Sequence, residues 1–152
     1  MKENKKNISV VIPTFNGLKH LKTCFDSLRM QTFDSLSYVP EVRIILVDNG
    51  SKDGSVEFTK ANYSEVEIIE LDKNYGFAKA VNEGIKYSLK EKQISPIVLL
   101  NNDIECDENF LEEMMKGFVD SNVGSVACKI LNFYKRDMID SVGDFIKLVG
   151  SP

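Results

Sequence analysis

Four short polar blocks hold most of the side chains in this sequence that can bind a ligand. They are Pro13-Thr14-Phe15-Asn16-Gly17, then Asp48-Asn49-Gly50-Ser51-Lys52-Asp53-Gly54-Ser55, then Asp72-Lys73-Asn74-Tyr75-Gly76-Phe77-Ala78, and last Asn101-Asn102-Asp103. Three of the four carry a carboxylate. Two familiar phosphate-binding signatures are missing. No G-x-G-x-x-G follows the first apolar run, and no G-x-x-x-x-G-K-[ST] occurs anywhere in the chain. A phosphorylated ligand would therefore be held by a divalent cation on carboxylates of these blocks. Mg²⁺ and Mn²⁺ suit that role, because they take oxygen ligands and often complete their shells with substrate phosphates.

Each block follows a run rich in β-branched residues, and each run is followed by residues at helical spacing. Ile8 to Ile12 reads as a strand, with Leu18, Leu21, Phe25 and Leu28 on one helical stripe behind it. Val42 to Val47 and Val66 to Leu71 read as the next strands, with a short helix around Val56 and Phe58 between them. Phe77, Val81, Ile85 and Leu89 form a second full stripe; Pro96 to Leu100 is a fourth strand, and Phe110, Met114 and Phe118 lead a helix that Asp107 caps. Ser125 to Leu131 is expected as a fifth strand and Asp144 to Val149 as a further one. Runs that are apolar throughout, rather than alternating, belong to strands buried on both faces. The expectation is an α/β domain: a Rossmann-like parallel sheet with helices on both faces. Ligands of such sheets bind outside the carboxyl ends of the strands, which is where all four blocks fall. Residues 35–41, with Pro40, are the expected flexible loop.

Composition narrows the classes further. At 152 residues the chain is one domain or part of one, residues 8–152, preceded by a basic tail over residues 1–7. The net charge of −4 offers no basic face for nucleic acid. Cys24, Cys106 and Cys128 are odd in number and include no C-x-x-C, so neither a disulfide framework nor a Cys-rich zinc site is expected; His20 is the only histidine. The cysteines read as inert thiols of a reducing compartment. No apolar run approaches the ~20 residues that span a bilayer, so the expected location is the cytoplasm, with peripheral attachment to the inner face of the membrane as the variant. The pattern weakens after Leu131 and no helix closes the last layer, so the ending is expected to be a cut through a larger domain. An unfinished sheet edge makes a homo-oligomer an expectation too.

Taken in order, the blocks resemble a family. Val11 to Asn16, Ile45 to Ser55, Asn74 to Ala78 with Asn82 and Gly84, and Leu99 to Asp103 are similar to the inverting family 2 glycosyltransferases of the GT-A fold. Any one block is unspecific; four in this order are not. The resemblance implies a nucleoside-diphosphate sugar as donor and a glycan or lipid-linked acceptor whose hydroxyl displaces the diphosphate. It implies that Thr14 and Asn16 line the nucleoside pocket, that Asp48 hydrogen-bonds the base or ribose, and that Asn102 lies beside the sugar or ribose. Pro13, Asn49 and Gly76 are counted in the same nucleotide site. Asp103 becomes the metal-bound carboxylate of a DXD-type motif, with Mg²⁺ or Mn²⁺ stabilising charge on the leaving diphosphate.

The chain departs from the family pattern in two ways. Asn101 stands where the first carboxylate of the DXD-type motif is usual. Free metal is then expected to bind poorly and to enter with the diphosphate. The Asn-Asn-Asp version resembles bacterial rhamnosyltransferase-like members, which leans the donor toward UDP- or dTDP-sugars and the role toward bacterial polysaccharide or glycoconjugate synthesis. By the resemblance the family's general base is expected beyond residue 152, since Asp137, Asp140 and Asp144 come too early to match it. The catalytic base is thus unassigned, and the alternative is a nucleotide-sugar binding module without turnover. A sugar nucleotidyltransferase would need a Gly-rich basic loop after the first strand, and a receiver domain an acidic pair there; the sequence offers neither.

Overall fold

A computed structural model describes residues 7–90, 96–118, 120 and 122–142. Strand β1 (Ile8–Thr14) lies at the centre of a four-stranded parallel sheet in the order β3-β2-β1-β4, with β2 at Val42–Asp48, β3 at Glu67–Glu70 and β4 at Ile97–Leu99. Helices α1 (Leu18–Arg29), α2 (Ser55–Asn62), α3 (Phe77–Ser88) and α4 (Phe110–Lys116) alternate with the strands. All seven residues of β1 are buried.

Burial on both sides explains the unbroken apolar runs. Val10, Ile12, Ile44 and Leu46 point into one core with Leu21, Cys24, Phe25 and Leu28 of α1, Tyr63 after α2, and Leu111 of α4. Their neighbours Val11, Ile45 and Val47 point to the opposite face and pack with Ala80 of α3. The side-chain period of two sends adjacent residues to opposite layers. Gly84 lets α3 settle closely on that second face: a Cβ there would stand 2.3 Å from Val11 Cγ1 and 2.9 Å from Val47 Cγ2.

Pro13 marks where the β1–β4 ladder stops. Ser9 N–H donates to Pro96 O on the β4 side, and Leu100 N–H returns to Val11 O. By the same period the position of Pro13 faces β4, where it has no N–H to give. The chain beyond Leu100 leaves the sheet at that level. On the other flank the ladder runs to its full length, pairing Pro13 with Val47 and Thr14 with Asp48.

The elements expected over residues 8–118 are present, with shifted ends. Asn109 rather than Asp107 occupies the N-cap position of α4, and Asp107 Oδ1 instead accepts the Asn109 N–H at 3.1 Å. Phe118 and Leu89 fall just past the ends of their helices. The expected fifth strand is different in kind. Only Ile130–Leu131 (β5) is extended, and it pairs antiparallel with Ile139–Ser141 (β6) in a separate two-stranded sheet. Its flank gives the reason: Ser125, Ala127 and Lys129 are exposed, so this run lacks the two-sided burial a parallel strand requires. The strand expected over residues 144–149 lies outside the described residues.

Two outcomes follow. Gly84→Ala should destabilise the fold by about 1–2 kcal/mol in urea unfolding: the ~1 kcal/mol that alanine adds to a helix interior is outweighed by forcing two buried β-branched strand residues apart. At the other end of the sheet, Arg43 Nε and Nη2 donate to Glu67 Oε1 and Oε2 at 2.8 and 2.9 Å. The Arg43 hydrogen bonds hold the Glu67 carboxyl below its ordinary value against the opposing effect of burial, with Tyr87 assisting. A depressed folded-state pKa contributes stability above the unfolded value, and that stability is lost as pH falls through the folded one. Thermal melts of wild type and Glu67→Gln should therefore differ most near neutrality and converge as pH falls below the ordinary glutamate range.

Candidate functional site

Strand register brings the polar blocks level. Thr14 stands opposite Asp48, and Asp48 opposite Glu70, so β1, β2 and β3 end together. The loops that follow interlock. Asn16 takes the left-handed conformation at φ 51°, donates its N–H to Ser51 Oγ at 2.8 Å, and accepts the Lys52 N–H on Oδ1 at 2.9 Å. Asparagine tolerates that backbone region better than most side chains. Asp53 reaches back from the β2–α2 loop to accept the Leu18 N–H at 2.9 Å, capping α1 from a different segment. Its other oxygen accepts from Ser55 N–H and Oγ. Burial raises the Asp53 carboxyl, but the Ser55 hydroxyl and these N–H donors more than offset it and hold it below the ordinary range.

Asn49 clamps the third loop to the second. Its Nδ2 donates to Asn74 Oδ1 at 3.0 Å and to Gly76 O at 3.2 Å, while its Oδ1 accepts the Tyr75 N–H at 2.9 Å. The amide is buried, and its hydrogen-bonding groups are engaged by the protein. Asn49, expected in the nucleotide site from sequence, directs its side chain at the third loop. Gly76 is exposed at φ 86° with open space around it.

Between these loops lies a cavity of about 340 Å³, bounded by Phe15, Asn16, Gly50, Lys52, Asp72, Lys73 and Asn74. Lys73 also approaches the Tyr75 ring, with Nζ 5.1 Å from its centroid, and Tyr75 donates its hydroxyl to Asp72 at 2.9 Å. Asp48, the last residue of β2, does not line this space and is 3% exposed. Its Oδ2 accepts the Ser51 N–H at 2.9 Å, but its buried Oδ1 has no hydrogen-bond partner. A desolvated carboxylate oxygen without a donor is costly, on the order of 1–3 kcal/mol or more. Among the described residues it is the one such buried side-chain atom.

The fourth block sits on the other flank of β1. Asn102 Nδ2 donates to Thr14 Oγ1 at 2.7 Å, and Asp103 follows it, exposed. The Cys24 thiol lies 3.9 Å from Asn101 O. Burial pushes Cys24 up to about 12 and Cys106 up to about 11, so both are protonated, inert thiols at neutral pH. Among the described residues no group of three or more His, Cys, Asp and Glu side chains is arranged to hold a metal ion. Asp103 alone is a partial donor set, suited to an ion that takes its other oxygens from a bound diphosphate and water. Thr14, Asn16, Asp48, Asn102 and Asp103 thus share one sheet edge, with Pro13 directly beneath. Phe15, Lys52 and Lys73 line the cavity and Asp53 organises it, roles that no sequence signal distinguished from a solvated loop.

The model of glycosyl transferase family 2 matches residues 9–142. The chain belongs to that family. A glycosyltransferase of Streptococcus pneumoniae, GlyG, is 30% identical over 141 residues, covering 91% of this chain and 42% of its own. The putative glycosyltransferase CsbB of Bacillus subtilis is 26% identical, covering 91% of this chain and 46% of its own. This family 2 chain therefore spans less than half the length of these curated relatives. Its fold is that of GT-A glycosyltransferases. The mannosyltransferase PcManGT of Pyrobaculum calidifontis, solved with GDP-Man and Mn²⁺, superposes with a TM-score of 0.66 at 19% identity, over 86% of this chain and 37% of that one. Residues 1–349 of TarS from S. aureus, solved with UDP-GlcNAc, give 0.59 at 20% identity, over 72% of this chain and 30% of that one.

Asn49→Ala is expected to lower stability by about 1–3 kcal/mol, since it leaves buried loop groups without their partners. Hydrogen exchange would register it as faster exchange at the Tyr75 amide, with the α1 amides unchanged.

Proposed function

We propose that this chain is the donor-binding portion of an inverting glycosyltransferase, which transfers a sugar from a nucleoside diphosphate to an acceptor hydroxyl. The observation that carries the reading is the gathering of Thr14, Asp48, Asn102 and Asp103 at the carboxyl ends of the strands, with a cavity of about 340 Å³ among the loops that follow β1, β2 and β3, in a chain that family 2 matches over residues 9–142. Asp48 Oδ1, a buried acceptor lacking a donor, fits an N–H or O–H of a base or ribose brought to the end of β2. Phe15 offers an apolar surface to a base, and Lys52 and Lys73 supply cationic donors. The Asn101-Asn102-Asp103 block, through its resemblance to rhamnosyltransferase-like members, leans the donor toward a uracil or thymine nucleotide.

Thr14 and Asn16 would contact the nucleoside, Asn102 the ribose or sugar, and Asp103 a divalent metal, Mg²⁺ or Mn²⁺. When bound, that ion neutralises charge developing on the departing diphosphate. This chain's own residues bind and orient: the level strand ends fix the nucleoside, and the Asn102–Thr14 bond fixes the loop that bears Asp103. The acceptor, glycan or lipid-linked, approaches the anomeric carbon from the side opposite the diphosphate, and that geometry inverts the configuration. The group that takes its proton is not assigned within this chain. A role in bacterial polysaccharide or glycoconjugate assembly at the cytoplasmic face of a membrane follows from the same reading. No described helix is long and apolar enough to cross a membrane.

Calorimetric titration of UDP, dTDP and GDP, with and without Mn²⁺, tests the reading. A uracil or thymine nucleotide should bind, and the gain in affinity on adding Mn²⁺ should disappear in Asp103→Ala. Asp48→Asn, which replaces an acceptor oxygen, should weaken nucleotide binding about tenfold or more whether or not metal is present. No binding by any of the three to folded protein would refute the donor site. Tight binding of GDP alone would refute the base assignment.

A further inference from the structure

The bond between Asn102 and Thr14 depends on the residue that lies between them in space. A Cβ on Gly17 would stand 2.0 Å from Asn102 Nδ2, 3.2 Å from its Cγ and 2.4 Å from Thr14 Oγ1. No side chain with a Cβ fits there while the 2.7 Å bond persists. The backbone does not call for glycine: φ at Gly17 is −102° and ψ 9°, a conformation open to any residue. Glycine is therefore required here by space alone.

We propose that Gly17 is a positioning residue for the proposed donor site: its missing Cβ gives the Asn102 amide its seat on Thr14 and so fixes the Asp103 carboxylate at the sheet edge. The inference rests on the donor-site reading for its functional consequence, and on contact distances for the latch itself. From Asn101 to Ile104 the loop has few other hydrogen bonds before Ile104 packs against the first apolar core. Leu100 N–H is bonded to Val11 O before it, Cys106 N–H to Ser27 Oγ after it, and between them the Cys24 thiol makes only a long contact to Asn101 O. Thr14 is buried in the sheet and cannot retreat, whereas Asn102 is the far end of a flexible side chain on a loop. A methyl at position 17 thus displaces Asn102 and turns the Thr14 hydroxyl aside, with the backbone of the sheet left in place. Fold and latch are separable, which makes the proposal testable.

The test is a double-variant cycle on the whole chain: wild type, Gly17→Ala, Asn102→Ala and the double variant. Two quantities are read for each, the dissociation constant for UDP in saturating Mn²⁺ and the constant in EDTA. Gly17→Ala should lower the affinity in Mn²⁺ about tenfold and the affinity in EDTA by less than that, since Asn102 and Thr14 are also assigned to the nucleotide, while the sheet stays folded. In the N102A background the same substitution should cost at most about twofold, since the side chain that carries the latch is gone and only the Thr14 hydroxyl is left to turn aside. Equal affinity of wild type and G17A in Mn²⁺ would overturn the proposal, as would an equal loss on both backgrounds. A second readout does not need the nucleotide. In ¹H–¹⁵N spectra the Asn102 side-chain amide should move to the position of a solvated asparagine in G17A, with the sheet amides unmoved. If wild type fails to bind UDP, the donor-site reading falls, and the spectrum still decides the latch; an unmoved Asn102 amide would refute it.

Discussion

Everything in this domain is arranged around a strand that meets no water. Each residue of β1 is buried, three strands and four helices are stacked around it, and its side chains divide between two separate apolar cores. A strand in that position admits polar chemistry only where it leaves the sheet. The consequence is visible at Thr14, the last residue of β1, whose hydroxyl takes part in the one side-chain bond described between the β1 end and the fourth block. Pro13 reinforces the boundary: the ladder toward β4 ends at Val11, whereas the ladder toward β2 runs on to Thr14. The two flanks of β1 thus open into different spaces. One is a walled cavity, and the other is a loop that ends in an exposed carboxylate.

The two spaces are stabilised differently. On the β2 side the loops grip one another through Asn16, Ser51, Asp53 and Asn49, so the walls are rigid before any ligand arrives. Rigidity of that kind limits the entropy lost when a ligand is bound. It also explains how Asp48 Oδ1 can remain desolvated and unpartnered: the fold holds it there, and the penalty is offset by the surrounding packing. On the β4 side a single side-chain hydrogen bond joins the fourth block to the end of β1, and the rest of the loop is held by Ile104 in the core and by Cys106 N–H on Ser27. The contrast suits a site in which one half recognises and the other half responds to charge.

Much of the fold was legible in the sequence because two-sided burial leaves a plain signature. Apolar runs at Ile8, Val42 and Pro96, each closed by polar residues and followed by a 3.6-residue stripe, gave the strands and helices to within a few residues. The signature failed where burial is partial. Val126 and Cys128 make the segment before Leu131 look strand-like, but with polar or exposed residues between them only two residues pair, and they pair antiparallel. The sheet edge was legible too, since the residues that close parallel strands face a common crevice. Finer roles were not. Asn49 and Asn102 are both amides in polar blocks, and only three-dimensional contacts separate the one that braces a neighbouring loop from the one that bridges two strand ends. Gly17 carried no signal either, because a glycine chosen for space looks in sequence like a glycine chosen for a turn.

The Asn102–Thr14 bond joins residues 88 positions apart in the chain. Bringing together the ends of a segment that long costs roughly 4 kcal/mol of chain entropy beyond the constant term, and little local structure rewards it in advance. The β1–β2 hydrogen bonds close a far shorter loop, as do those between β2 and β3. The two flanks of the sheet thus differ in what closing them costs: the β1–β2–β3 edge is joined through short loops, and β4 only through a long one. The half that carries Asp103 is the part of the sheet whose closure takes the most chain entropy.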